Sequence, residues 1–159
     1  ANGYTISSGY TAVNNPDRTK FIYRDSLWGG ADLVGLGVAS FSHVQGVHYQ
    51  NLTEIDDYVA AIDSERMPVK RAFRTNEEER MIREFILQMK LGHVKADYFR
   101  DKFEISILDR FARPLDELTE EGLLEVVDNA IVLSRDGLLC VDNLLHDFFL
   151  EHHKTDRIV

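Results

Sequence analysis

Apolar positions along the chain fall into two textures: short runs broken by glycine up to about residue 50, and a helical recurrence beyond it. In residues 1–20, Tyr4, Ile6, Tyr10 and Val13 precede the cluster Asn14-Asn15-Pro16-Asp17, which predicts one strand or extended piece followed by a loop. Residues 31–42, ADLVGLGVASFS, are apolar almost without interruption. A half-buried strand would alternate, so this run predicts a strand buried on both faces, as in a parallel sheet. Gly35-Leu36-Gly37 offers a competing reading as a dinucleotide loop, but Ser40 stands where that pattern needs its third glycine. The segment that follows, FSHVQGVHYQN, has no helical spacing to set a helix N-terminus at a phosphate, so the strand reading is preferred.

After Asn51 the period changes. Thr53 with Asp56 resembles a capping box, and Ile55, Tyr58, Val59 and Ile62 predict a helix ending near Ser64 to Arg66. Met67-Pro68-Val69 predicts an extended link, because proline drives its predecessor out of the α region. Thr75-Asn76-Glu77-Glu78 predicts a second cap, followed by the stripe Met81, Ile82, Phe85, Ile86 and Met89, with Gly92 as terminator. A short helix follows over 95–104, and Ser106 with Asp109 starts another, which Pro114 either ends or reopens. GLLEVVDNAIVLSRDG predicts a hairpin about Asp128-Asn129, and LLCVDNLLHDFFLEH a last helix. Helices, then a hairpin, then a helix is a winged-helix-like order.

Composition narrows the functions open to such a chain. With 159 residues, 44% of them hydrophobic, it is long enough to bury a core. A net charge of -9 repels phosphate backbones, and the helix ahead of the hairpin, PLDELTEEG, carries acids but no Lys or Arg. No nucleic-acid partner is therefore expected. No apolar run reaches the roughly 20 residues of a membrane span and no signal-peptide pattern opens the chain, so no membrane partner and a cytoplasmic location are expected. The single cysteine, Cys140, lies in an apolar run and is expected to be buried rather than reactive.

Few residues stand out as chemistry. The histidines show no metal-binding spacing, so no metal site is expected, and His152-His153 read as a solvated tail. His43 and His48, in the segment after the glycine-rich run, are candidates to touch a ligand. Arg71, Arg74, Arg80 and Arg83 cluster ahead of and inside the second helix. Arg80 and Arg83 could clamp carboxylates, but pairing with Glu77, Glu78, Glu79 and Glu84 along the helix is preferred. No pair of acids stands out as catalytic.

Several segments together carry a family resemblance: Gly3-Tyr4 to Tyr10, WGGADLVGLGVASFS, Tyr49-Gln50-Asn51, ERMPVKRAFRTNEEERMIREFILQM and GLLEV…IVLSRDGLLCVDNLLHDFF. In this order they resemble the C-terminal part of the oxygen-independent coproporphyrinogen III oxidases and their heme-chaperone relatives, which are radical S-adenosylmethionine enzymes. The resemblance implies an α+β fold: residues 1–50 as the terminal strands of a partial TIM-like barrel, and residues 51–159 as a mainly helical, winged-helix-like cap. It implies a fragment whose missing N-terminal barrel carries a CxxxCxxC motif and a 4Fe-4S cluster, since Cys140 stands alone here. The fragment itself is expected to be inactive and to hold no cofactor. For the parent the resemblance implies oxidative decarboxylation of coproporphyrinogen III to protoporphyrinogen IX, with S-adenosylmethionine and the cluster as cofactors and a tetrapyrrole as substrate. A heme chaperone without oxidase activity and a winged-helix interaction module are the alternatives. Ser40 and Phe41, just after the glycine run, are implied contacts of S-adenosylmethionine, with Phe41 matched to an isoleucine of the oxidases. Tyr23, in F-I-Y-R-D, is matched to a glutamine of their F-Q-G-Y-T pattern and is a third implied contact. His43, Arg71 and Arg74 are the implied substrate contacts. Trp28-Gly29-Gly30 is closer to the chaperone branch, and Tyr49-Gln50-Asn51 to the oxidases.

Overall fold

A computed structural model describes residues 3–150. In chain order its elements are β1 (Thr5–Ser8), β2 (Thr11–Val13), α1 (Ile22–Trp28), β3 (Phe41–Val44), β4 (Val47–Asn51), α2 (Ile55–Asp63) and β5 (Val69–Arg74). Then come α3 (Glu77–Met89), β6 (His93–Lys95), α4 (Ala96–Phe103), α5 (Ile107–Arg110), α6 (Ala112–Glu120), β7 (Leu124–Val127), β8 (Ala130–Leu133), α7 (Arg135–Leu139), α8 (Val141–Leu144) and a 3-10 turn, Leu145–Phe148. The fold is mixed α and β. Packing divides it into two compact units, residues 31–80 and the segments on either side of them. Among the described residues no helix is long and apolar enough to cross a membrane.

The larger unit is built on the apolar stripe of α3. Met81, Phe85 and Met89 are fully buried, and Phe85 packs against Phe99 of α4, Phe111 beside α5, and Phe148 of the 3-10 turn, at 5.9, 4.7 and 5.0 Å between ring centroids. Rings at these spacings add favourable edge and offset contacts to the area they remove from water. The sheet of this unit runs β6-β8-β7, all antiparallel. Its β7–β8 hairpin turns on Asp128 and Asn129, both left-handed at φ 49° and 61°, as a two-residue hairpin loop requires. Pro114 falls in the first turn of α6, where its missing N–H costs nothing, so it opens that helix rather than ending the one before.

Other expectations are corrected. Residues 5–13 form two strands, not one, because the chain reverses at Gly9-Tyr10. The pattern also missed α1, which buries no residue of its own. That helix is held instead by Arg24, whose guanidinium donates to the hydroxyls of Ser8 (3.1 Å) and Thr11 (2.6 Å) and lies 4.5 Å from the centre of the Phe21 ring. The expected last helix is three short pieces, α7, α8 and the 3-10 turn, interrupted at Cys140 with φ -110°. Cys140 is half-buried, its thiol donating to the Asp136 carbonyl at 3.1 Å. His152-His153 lie outside the described residues.

The buried strand expected over 31–42 is not there. Only Leu33 bridges, to His43, and regular pairing begins at Phe41. Gly37 at φ 91° and Ala39 at φ 58° take left-handed conformations that no strand tolerates, and Leu36 is 84% exposed. The run is an ordered loop, neither a strand nor a nucleotide cradle, since no helix follows it. Every strand pairing among the described residues is antiparallel.

Two predictions follow from the larger unit. Replacing a helical glycine by alanine ordinarily gains about 1 kcal/mol. At Gly137 of α7, however, a Cβ would overlap the Leu123 carbonyl oxygen. Gly137→Ala should therefore lower stability by about 2 kcal/mol or more in urea unfolding, the opposite sign.

The second prediction concerns alkaline pH. The buried Glu84 carboxylate accepts from Lys102 (2.9 and 2.8 Å) and from the Tyr98 hydroxyl (2.6 Å). Burial, and then the bond to Glu84, raises the Tyr98 hydroxyl above the ordinary tyrosine range. Burial opposes the Lys102 ammonium, but its bonds to Glu84 and Tyr98 outweigh that and raise it as well. Both protons are held more tightly in the folded state, so their contribution is complete below about pH 10 and fades as pH rises through the elevated values. Urea unfolding should show stability falling above about pH 10, and Tyr98→Phe should reduce that fall. An unchanged pH profile in the variant would show that the cluster is not coupled to folding.

Candidate functional site

The unit of residues 31–80 is a three-stranded sheet, β3-β4-β5, with α2. Its register sets Phe41 opposite Gln50, His43 opposite His48, and on the next ladder His48 opposite Phe73 and Gln50 opposite Arg71. Side chains two apart on a strand share a face. Phe41, His43, His48, Gln50, Arg71 and Phe73 therefore occupy one face. The Phe41 ring stacks on His48 at 5.5 Å and 18°, and His43 lies 6.0 Å from His48. Arg71 donates from Nε to Gln50 Oε1 (2.9 Å), and Gln50 Nε2 donates to the Ala39 carbonyl (3.2 Å). That relay fixes the direction of an exposed guanidinium beside two partly exposed aromatic rings.

The glycine loop runs along the outer edge of β3, where Leu33 bridges His43, and Ser42 and Asn51 of the sheet's other face fasten it. Asn51 Nδ2 donates to both the Gly35 carbonyl (3.1 Å) and the Gly37 carbonyl (2.9 Å). Gly35 N–H donates to Ser42 Oγ (3.0 Å), and Gly37 N–H to the Tyr58 hydroxyl of α2 (3.1 Å). A Cβ at Gly35 would overlap the Phe41 carbonyl oxygen, so glycine is required by close approach. The backbone groups of Gly35 and Gly37 are thus satisfied internally while Val34 and Leu36 face outward, 61% and 84% exposed.

Of the residues singled out from sequence, Phe41, His43 and Arg71 are brought together on the one face. Arg74, an odd number of residues from Arg71 on β5, belongs to the other face. Ser40 sits at the loop's end, its hydroxyl donating to the Leu36 carbonyl (2.7 Å). Tyr23 is carried on α1, in the larger unit, 68% exposed. Helix pairing also differs from expectation: Glu84, offered to Arg80 by spacing, binds Lys102 instead. The cap of α3 is a reciprocal pair one residue on, Glu79 N–H to Asn76 Oδ1 (2.9 Å) and Asn76 N–H to Glu79 Oε2 (2.8 Å). Thr53 does not cap α2, because its hydroxyl accepts from Lys70 (3.0 Å).

The Asn51 fastening was missed by sequence reasoning. Its only trace was an asparagine ending an apolar stretch, and nothing local connects that to glycines 14 and 16 residues earlier. Asn51→Ala strips two half-buried acceptors of their donor and should cost about 1 kcal/mol. Amide exchange should accelerate over residues 35–39 while that of α3 stays slow; unaltered exchange would place the loop's order elsewhere.

Comparison with known proteins bears on the same segments. Residues 76–140 match the model of the HemN C-terminal domain family. The chain is 29% identical over 120 residues to an oxygen-independent coproporphyrinogen III oxidase of Helicobacter pylori, covering 72% of this chain and 26% of that protein. It is 26% identical over 136 residues to the enzyme of the same name from Pseudomonas aeruginosa, covering 81% and 29%. The heme chaperone HemW of Bacillus subtilis is 23% identical over 127 residues, covering 79% and 34%. Among solved structures, coproporphyrinogen III oxidase (HemN) from Escherichia coli, described as a radical SAM enzyme, shares the fold at a TM-score of 0.69 and 20% identity, over 92% of this chain and 37% of that one. The chain thus spans about a quarter to a third of the length of the curated relatives it matches.

Proposed function

We propose, taking as premise that this chain resembles the C-terminal part of an oxygen-independent coproporphyrinogen III oxidase, that it belongs to a radical S-adenosylmethionine oxidoreductase of porphyrin biosynthesis. The reaction is the oxidative decarboxylation of coproporphyrinogen III to protoporphyrinogen IX. What carries this reading is the match of residues 76–140 to the HemN C-terminal domain, in a chain whose other segments align with oxidases of that name. On it, residues 1–50 are the end of the barrel and residues 51–159 a cap. The order β6, α4, α5, α6, β7, β8 supports a winged-helix-like cap.

The role of this chain is to position and enclose the substrate. An electron-rich face of Phe41, His48 and Phe73 suits the flat edge of a tetrapyrrole, and Arg71, aimed by Gln50, suits a propionate carboxylate. His43 lines the same face, and Arg74, on the other, is left out of this contact. Ser40 and Phe41 stand at the end of the fastened loop, where S-adenosylmethionine is expected. Tyr23 enters through the resemblance alone. When bound, S-adenosylmethionine with a 4Fe-4S cluster supplies a radical that removes hydrogen from a propionate side chain. The thiolates for that cluster cannot come from this chain, whose single cysteine is Cys140.

A second reading, a heme chaperone, is favoured by the match to HemW. The full-length protein, prepared without oxygen, separates the two. The oxidase reading expects iron and sulfide, 5'-deoxyadenosine formation that depends on coproporphyrinogen III, and an Arg71→Ala variant with KM raised about tenfold and kcat little changed. S-adenosylmethionine cleavage without conversion of that substrate, together with tight heme binding, would transfer the protein to the chaperone branch. Absence of a cluster would overturn both.

A further inference from the structure

The larger unit contains an open cleft of about 210 Å³ lined by Gly29, Gln88, Leu91, His93, Lys95 and Tyr98. Gln88, on α3, is the unusual member. The residue is only 8% exposed, yet its side-chain amide makes no hydrogen bond within the described residues. The amide atoms are not sealed from solvent, so they open on the cleft, where a ligand can take their donor and acceptor.

Two further polar groups meet it there. Val94 is fully buried in the core, so its strand neighbours His93 and Lys95 point the other way, and both are exposed. Lys95 also occupies the N-cap position of α4, which has no side-chain cap. A cation is disfavoured at that end of a helix dipole, whereas an anion beside it would be stabilised by both the dipole and the ammonium. The nearby acids are already compensated: Glu84 by Lys102 and Tyr98, and Asp97 by Arg100 (2.5 Å) and Asn129 (2.7 Å). Leu91 and the Tyr98 ring supply apolar wall.

We propose that this cleft binds a monocarboxylate on a short apolar stem. One carboxylate oxygen is held by the Lys95 ammonium, the other accepts from the Gln88 amide, and the stem lies along Leu91 and Tyr98. One cation, one neutral amide and an imidazole match a single negative charge with two in-plane acceptors. A phosphate dianion would be undercompensated in a chain of net charge -9. This site lies in a different unit from the Arg71 face and does not depend on the oxidase reading.

The test is a titration of this chain, followed in 1H–15N spectra at constant ionic strength, with sodium butyrate as probe. Saturable shifts should appear in the Gln88 side-chain amide and in the backbone amides of residues 93–98, at affinities near the millimolar range usual for so small a ligand. Lys95→Met and Gln88→Glu should each weaken binding at least about tenfold. Butyramide and inorganic phosphate should not saturate. Shifts that stay linear with butyrate, an equal response to phosphate, or unchanged affinity in Lys95→Met would each overturn the proposal. Lys95 is exposed, so its variant decides the matter even if Gln88→Glu fails to fold.

Discussion

The larger unit depends on one side chain, Phe85. It is the point at which α3, α4, the α5–α6 corner and the terminal 3-10 turn touch, through the rings of Phe99, Phe111 and Phe148. Around it Met81, Met89, Val94, Ile107 and Ile131 are sealed from water. Truncating such a ring to alanine typically costs about 3–5 kcal/mol, a large share of the stability of a domain this size. Everything polar in that unit is placed relative to this packing: Glu84 and Gln88 share α3 with Phe85, and their positions follow from it.

The smaller unit is organised differently. Outside the sheet ladders its order comes from side chains bonding to backbone, with Asn51, Ser42 and Tyr58 occupying the polar groups of the glycine loop. Because hydrogen bonds rather than apolar burial hold the loop, its hydrophobic side chains are left outside. Val34, Leu36, Phe41 and Phe73 are all exposed, and so are Ile55, Val59 and Ile62 of α2.

How far the sequence revealed this follows from where the signals are local. The α3 stripe, the α4 and α6 segments and the Asp128-Asn129 hairpin were legible because period and turn chemistry are written within a few residues. The run 31–42 misled because continuous apolarity is read as burial, while the two left-handed residues that break the strand are visible only in the backbone. Helix α1 escaped because its anchor is an arginine among hydroxyls, which leaves no periodic trace. For the site, Phe41 and Arg71 came from resemblance and His43 first from its place after the glycine-rich run, and the register gathers them on one face. The same register separates Arg74, because one strand alternates its sides. Gln88 could not be found from sequence at all, since the cleft it lines is a property of the fold.

The hairpin tip has a mechanical side. Asn129 closes the β7–β8 turn and also reaches out of it, with its side chain donating to Asp97 (2.7 Å) and its carbonyl accepting from Ala96 N–H (3.0 Å). Loop tips are ordinarily the loosest parts of a domain and the first to be cut by proteases. This one is buttoned to the start of α4, so the hairpin behaves as a stiff strut rather than a swinging flap.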